Sequence, residues 1–447
     1  MISFFQKILA AIFGELNYQK YRTTYVARNS ARLFAIQSFS ILLVFTSNYV
    51  LIKTAGPDNY GWYVFVFNLV YLLLNFTLLG FDTLLVKKAA TLENSKNDGE
   101  FKGLLVTAGL SILLTSVLGA AIFFIVTTSS IPIILSKENN WFVIPFISLL
   151  LLSAATLMQS VLQGRRKIAW SQIVEKIIRP VLLIILVGVF YYSYTSVSLS
   201  MLIWINIAAS GFGLLVTFWF FQKSLRGEAD NSNPKFYLKD WFKLSLSFLF
   251  IDILRDGNAR ISIFLLGLFR PGDDVGIFNI ALRISELIGF SLVIVNFVLS
   301  PAIAKLYGAG KVKQLQALVT RCARVTLFIG TILFAGIFLF RTQLLSIFGT
   351  IFLEGRTALL LLGGGQIINI LMGSVGVLLV MTGQERYSIY SLTLGLVINL
   401  LCNVMLTPGL GVTGAAISVT AGLIAWNFAM YYFVRKRLNI RPTAFGF

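Results

Sequence analysis

The chain has 447 residues, of which 57% are hydrophobic and only 12% charged, and its mean hydropathy is +0.84. A soluble domain carries roughly 25% charged residues, so a water-soluble globular protein is excluded. The net charge of +19, from 37 Lys+Arg against 18 Asp+Glu, is spread between apolar segments and excludes nucleic acid as a partner; with no His and only Cys322 and Cys402, the usual metal site, proton relay and disulfide framework are also excluded.

At the start of the chain, Met1 to Tyr18 places Phe4, Phe5, Ile8, Leu9, Ile12, Phe13 and Leu16 on one helical face. This predicts a helix lying on the inner leaflet, without a small-residue cleavage site. Twelve apolar runs of about the 20 residues needed to cross a bilayer follow. They fall near 33–52, 62–86, 103–127, 141–163, 168–191, 196–221, 241–268, 275–304, 325–346, 357–380, 386–407 and 412–434. The connections on one side hold 27 of the 37 Lys+Arg, whereas the alternate connections hold only Lys53, Lys137, Arg270, Arg341 and Arg356. The positive-inside rule puts the rich side, and both termini, in the cytoplasm. Trp62, Trp141 and Tyr191 then mark outer helix ends, and Trp170, Trp241 and Tyr432 inner ones. A second amphipathic stretch, Lys311 to Arg324, spaces Val312, Leu315, Val319 and Cys322 for an interfacial face; the equal alternative for both stretches is a short soluble cap.

The run Pro57-Asp58-Asn59-Tyr60-Gly61-Trp62-Tyr63 is echoed by Gly272-Asp273-Asp274-Val275-Gly276-Ile277-Phe278, each opening the second helix of a six-helix set. Six is even, so the two sets insert in the same orientation, as in transporters built from parallel repeats. The domain reading is an N-lobe at 1–221, a basic linker at 222–240 and a C-lobe at 241–447.

Ionisable groups inside the apolar runs are the sharpest local signal. An Arg or Asp at a helix centre costs about 2.5–3.5 kcal/mol even on the lower insertion scales, so such groups must face protein or water. The fifth helix carries Glu175, Lys176 and Arg179 before Pro180, the seventh Asp252, Arg255, Asp256 and Arg260, and the eighth Arg283 and Glu286; Asp82 lies near a helix end. Asp252, Asp256 and Arg260 repeat at i,i+4 and form one polar stripe. Either these five cations and five acids lock the bundle by pairing, or the arginines hold an anion; a planar guanidinium that never deprotonates suits bidentate contact with phosphate. Weaker signals are Gly257 and the Gly363 to Gly365 triplet, as hinges or close-packing points, and the pairs Gln366 with Asn369 and Asn399 with Asn403, as cavity linings or interhelical bonds. Gly308-Ala309-Gly310-Lys311 lacks the earlier glycine and the following Ser or Thr of a phosphate loop, so no ATP site is visible.

The stretch Ala55 to Gly61 through Gly80-Phe81, the Gln163-Gly164-Arg165 turn, Glu175 to Pro180 and Val275-Gly276 through Pro301-Ala302 resemble the polysaccharide-transport family. These are lipid-linked oligosaccharide flippases of the O-antigen type, within the multidrug/oligosaccharidyl-lipid/polysaccharide exporter superfamily. The resemblance implies an all-α polytopic membrane protein of about 12 transmembrane helices, in two six-helix lobes around a central cavity. It also implies transport of an undecaprenyl-diphosphate-linked oligosaccharide, an O-antigen, common-antigen or capsule repeat unit, from the inner to the outer leaflet of the bacterial inner membrane by alternating access. Basic cavity residues engage the head group in that family, a pattern matched here by Arg255, Arg260 and Arg283, with Arg179 and Lys176 as further candidates. Expected partners are the lipid-linked glycan, membrane lipids and a glycan polymerase or export machinery. No cofactor is expected. With no nucleotide site, coupling to a proton or sodium gradient would fall to Asp252, Asp256, Glu286 and Glu175. The alternatives are a multidrug antiporter or a lipid II-type flippase of the same superfamily; a membrane enzyme would need catalytic groups on a sizeable outer segment, and the outer connections are short.

Overall fold

The computed structural model describes residues 25–92, 98–130, 143–165, 167–194, 196–225, 233–270 and 272–446, and every regular element among them is helical. The expected helix on Met1 to Tyr18, and Trp141 as an anchor, lie outside the described residues. In chain order the crossings are α1 (Tyr25–Ala55), α2 (Pro57–Leu78, resumed as Phe81–Leu92), α3 (Asp98–Ser130), α4 (Val143–Gly164), α5 (Ile168–Ile173, Val174–Ile178 and Arg179–Tyr194), α6 (Leu199–Leu225), α7 (Leu238–Phe269), α8 (Gly272–Gly308), α9 (Val312–Ser346) and α10 (Thr350–Gly355, Arg356–Met372 and Val375–Met381).

The last helix, Glu385–Leu438, has 54 residues, about 81 Å at 1.5 Å per residue, far more than the roughly 30 Å hydrocarbon core. It is two crossings. Gly411 takes φ 53°, ψ −128° just after Pro408, a conformation a side chain would strain, and the chain reverses there. The arms, α11 (385–410) and α12 (412–438), then pack so closely that a Cβ on Gly395 would sit 2.7 Å from the Gly422 carbonyl oxygen. Twelve crossings result among the described residues, at the positions the apolar runs predict. Nine helices among the described residues are individually long and apolar enough to span a bilayer; α5 and α7 fall outside that set, α5 broken and α7 charged, and the hairpin counts once. Large apolar side chains such as Leu114 (71% exposed), Phe328 (69%) and Met405 (79%) point outward. Such a surface would be a liability in water and is the expected lipid contact here.

By packing, the described chain divides into two compact units, Ile36–Arg260 and Ile261 onward, residues 25–35 grouping with the second; the division falls within α7. In the first unit, α2 breaks at Leu79 (φ 49°) and Gly80 (φ 76°). A Cβ on Gly80 would lie 2.1 Å from the Ser245 carbonyl oxygen and 2.6 Å from the Leu249 amide nitrogen, so the break is where α7 passes against α2. Gly80→Ala adds a left-handed penalty of about 1–2 kcal/mol to a clash with backbone that cannot rotate away. A drop of at least several degrees in melting temperature in detergent is expected; an unchanged value would mean that α7 does not pack there.

In the second unit, the face expected to lie on the membrane is instead mostly part of the core, only Val312 at its start remaining exposed. Leu315, Val319 and Cys322 are 0–1% exposed and pack with Ile303 of α8, Leu378 of α10 and Val434 of α12. Residues 312–324 are simply the first turns of α9. An amphipathic stripe reports that one face is apolar, not whether lipid or protein covers it.

Candidate functional site

The polar residues of α5 sit on a distortion that the sequence makes. Pro180 has no amide hydrogen to give to the carbonyl of Lys176 and its ring crowds that carbonyl. Immediately before it, Val174–Ile178 widens into a π-turn in which the Arg179 amide donates to the Val174 carbonyl, five residues back. Such bulges recur at functional sites because they turn side chains off the regular helical face. Here the segment carries Glu175, Lys176 and Arg179.

Arg179 is the centre of a network within the first unit. Its side chain is 11% exposed. Nη1 donates to Tyr71 Oη at 2.6 Å and to Glu175 Oε1 at 3.3 Å, and Nη2 donates to Asn206 Oδ1 at 3.0 Å. Asn206, from α6, donates in turn to the hydroxyl of Tyr63, and both residues are buried. Tyr71 does more than accept. The Arg179 guanidinium carbon lies 5.8 Å from its ring centroid and that of Arg260, from α7, lies 5.0 Å from it. Asn68, one turn before Tyr71, donates to the Arg260 backbone carbonyl at 2.8 Å and ties α7 to α2 at this level. One tyrosine ring therefore gathers two guanidinium groups that are 81 residues apart in sequence, each gaining about 0.5–2 kcal/mol from the ring according to how far water is excluded. Lys176 donates to Gln37 Oε1 of α1.

The other expected site residues stand elsewhere. Arg255 donates to Asp252 Oδ1 at 2.6 Å and to Asp256 Oδ1 at 3.5 Å, while the Thr83 hydroxyl donates to Asp252 Oδ2 at 3.4 Å. Its side chain is 64% exposed, and two carboxylates already satisfy it. Arg283 and Glu286 form a pair at 3.0 Å along α8, in the second unit, both about two-fifths exposed. Of the five cations, the structure thus brings Arg179 and Arg260 to one point, gives Arg255 two neighbouring acids, and sets Arg283 beside an acid of its own helix.

Sequence reading missed Tyr63, Tyr71, Asn68 and Asn206. The available signal was modest: single polar or amphipathic residues inside runs otherwise read as lipid-facing. Asn399 and Asn403, by contrast, prove to be interhelical bonds. Both are 0% exposed. Ser262 of α7 donates to Asn399 Oδ1 at 3.0 Å, Asn403 donates to Ser262 Oγ at 2.9 Å and to Asn399 Oδ1, and Thr407 donates to Asn403 Oδ1 at 2.9 Å. Asn369 donates to Gln366 Oε1 at 3.3 Å. In the glycine triplet, Cβ atoms on Gly363 and Gly365 would meet Phe334 at 3.0 Å and Thr420 at 3.1 Å, close helix packing, whereas Gly364 faces open space.

Comparison with known proteins gives the family and the fold. The family model described as "Polysaccharide biosynthesis protein" matches residues 26–307, and the one described as MatE matches residues 259–405. The chain is similar in fold to an inward-facing multidrug resistance MATE family transporter of the MOP superfamily, with 15% identity, a TM-score of 0.68 and coverage of 89% of this chain and 94% of that one. The outward-facing conformation of such a transporter gives 16% identity, a TM-score of 0.61 and coverage of 93% and 95%. A MOP superfamily transporter from Pyrococcus furiosus, for which reverse polarity of the binding pocket suggests a different function, gives 15% identity, a TM-score of 0.61 and coverage of 96% and 98%. No curated protein sequence gives a significant match.

Proposed function

Because this chain belongs to the polysaccharide biosynthesis protein family and has the fold of MOP superfamily transporters, we propose that it is a transporter, not an enzyme, and that its cargo is a lipid-linked oligosaccharide. The observation that carries the reading is the pair Arg179 and Arg260 on the ring of Tyr71. Two fixed guanidinium forks inside a membrane-spanning unit suit a diphosphate, whose lost hydration only charge-assisted donors can offset. A cationic drug would meet repulsion at the same point.

In this reading, an undecaprenyl-diphosphate-linked repeat unit enters from the cytoplasmic leaflet of a bacterial inner membrane and leaves to the periplasmic one, both chain termini being cytoplasmic. Arg179 and Arg260 hold the head group. Arg255 and Lys176 add positive potential in the same unit, each moderated by the acid or amide beside it, and Arg283 is a further head-group candidate in the second unit, moderated by Glu286. Asp252, Asp256, Glu175 and Glu286 are the groups available to carry a coupling proton or sodium ion. A glycan polymerase or export machinery would take up the product.

The MatE match over residues 259–405 favours a second reading, an ion-coupled multidrug antiporter. Mass spectrometry of lipid co-purifying with the detergent-extracted protein separates the two. A polyprenyl diphosphate bearing sugars is expected. Its absence, together with a melting temperature raised by lipophilic cations and unmoved by an isoprenoid diphosphate, would overturn the flippase reading in favour of the antiporter.

A further inference from the structure

The hairpin of α11 and α12 sets the first turn of α11 beside the last turn of α12. Tyr387 of α11 stacks on Phe433 of α12 with ring centroids 4.6 Å apart and planes 28° apart, and is only 6% exposed. The ring is a fixed floor. Arg386 lies with its guanidinium carbon 4.8 Å from the ring centroid and donates from Nη2 to Tyr387 Oη at 3.1 Å. Arg437 lies 5.0 Å from the same centroid. Both arginines are exposed, and neither has a carboxylate partner among the described residues. Arg435 and Lys436 stand next to them, each directed to a tyrosine hydroxyl of its own helix, Tyr431 at 3.2 Å and Tyr432 at 2.9 Å. The only acid in the first turn of α11 is Glu385, and the helix N-cap, Gln384, makes no side-chain bond to the free amides there. Two cations thus meet at one ring, beside an uncapped positive helix end with one acid in its first turn, and two further cations follow on the adjoining turn of α12.

Two cations held on one ring repel each other, and an anion between them removes that repulsion. Which anion is indicated by the surface that continues from the site. Tyr390, Leu394, Val397 and Leu401 are 60%, 47%, 46% and 57% exposed, and their spacing of 4, 3 and 4 residues makes one apolar ridge along α11. A ligand with a phosphate at one end and acyl chains behind it matches both parts. Basic clusters at the end of a transmembrane helix attract anionic lipid, and arginine can bind phosphate through two parallel bonds.

We propose that Arg386 and Arg437, held on the ring of Tyr387, bind the phosphate of an anionic phospholipid whose acyl chains lie along α11. The site is outside the Arg179 and Arg260 cluster and does not depend on what the protein carries.

The test is thermal unfolding of the full chain in a neutral maltoside detergent, with added phosphatidylglycerol or phosphatidylcholine. Phosphatidylglycerol is expected to raise the melting temperature by several degrees and phosphatidylcholine by less than half as much. Arg386→Ala with Arg437→Ala should erase that difference. Tyr387→Phe should keep it, since the ring remains. A control with the same loss of charge, Lys53→Ala with Arg341→Ala, should also keep it. If the double variant does not fold, Arg437→Gln alone should lose at least half of the selective shift. An equal response to the two lipids, a selective shift surviving loss of both arginines, or a control that loses it would each overturn the proposal. So would protection by farnesyl diphosphate without protection by phosphatidylglycerol, which would assign the site to an isoprenoid diphosphate.

Discussion

Arg260→Ala is expected to abolish export while the protein still inserts and melts close to the parent, whereas Arg179→Ala is expected to lose the protein as well. The difference follows from what each guanidinium leaves behind. Removing Arg179 strips partners from the Tyr71 hydroxyl, Asn206 Oδ1 and Glu175 in a site where its own side chain is 11% exposed, and breaking a buried charge network by taking one member costs about 3–5 kcal/mol. Arg260 is half-buried, meets the same ring by its face, and is tied to α2 through its backbone carbonyl, which alanine keeps. Lysine at 260 should restore export only partly, because an ammonium cannot make the planar two-point contact with a diphosphate. Export should fall at least tenfold for alanine, equivalent to about 1.4 kcal/mol of lost head-group binding. Protein level, melting temperature and export are measured together for Arg260→Ala, Arg260→Lys, Arg179→Ala and Arg179→Ala with Glu175→Gln. The last variant should recover protein without export. Normal export from Arg260→Ala, or export regained when Asp256→Ala is added to it, would make Arg260 a structural partner and remove it from the head-group site.

Asn403→Leu is expected to destabilise the second unit by about 2–4 kcal/mol. Asn403 donates to Ser262 and Asn399 and accepts from Thr407, all fully buried. One interhelical bond inside a membrane protein is worth about 0.6 kcal/mol on average and up to about 1.7. Leucine, however, also leaves Thr407 and Ser262 with fewer partners, and each stranded buried polar group adds about 1–3 kcal/mol. Melting temperature in detergent and the fraction of monodisperse protein report the loss. Asn403→Asp keeps the shape and the acceptor, so it separates the hydrogen bonds from the packing. A wild-type melting temperature for Asn403→Leu would mean that the ladder does not hold α7 to α11.

The membrane-spanning helices are the most legible part of this protein. A backbone crossing lipid must satisfy every amide and carbonyl within its own segment, so each crossing is forced to be a helix of about 20 apolar residues whatever surrounds it. The same necessity makes Glu175, Arg179, Asp252, Arg260 and Arg283 stand out, because each is costly where it sits. Even the last hairpin is readable, from Pro408 and Gly411 between two apolar runs. What a residue touches is a different matter. It depends on the rotation of each helix about its axis, which is decided by packing with helices far away in sequence and leaves no periodic trace. So it is only the tertiary structure that puts Tyr71 of α2 beneath Arg179 of α5 and Arg260 of α7, gives Arg255 to Asp252, buries the face of residues 312–324 in protein rather than lipid, and turns Asn399 and Asn403 inward to Ser262. Hydrophobicity along the chain is a local quantity and survives in the sequence; the pairing of charges is a property of neighbours, and neighbours exist only once the helices have packed.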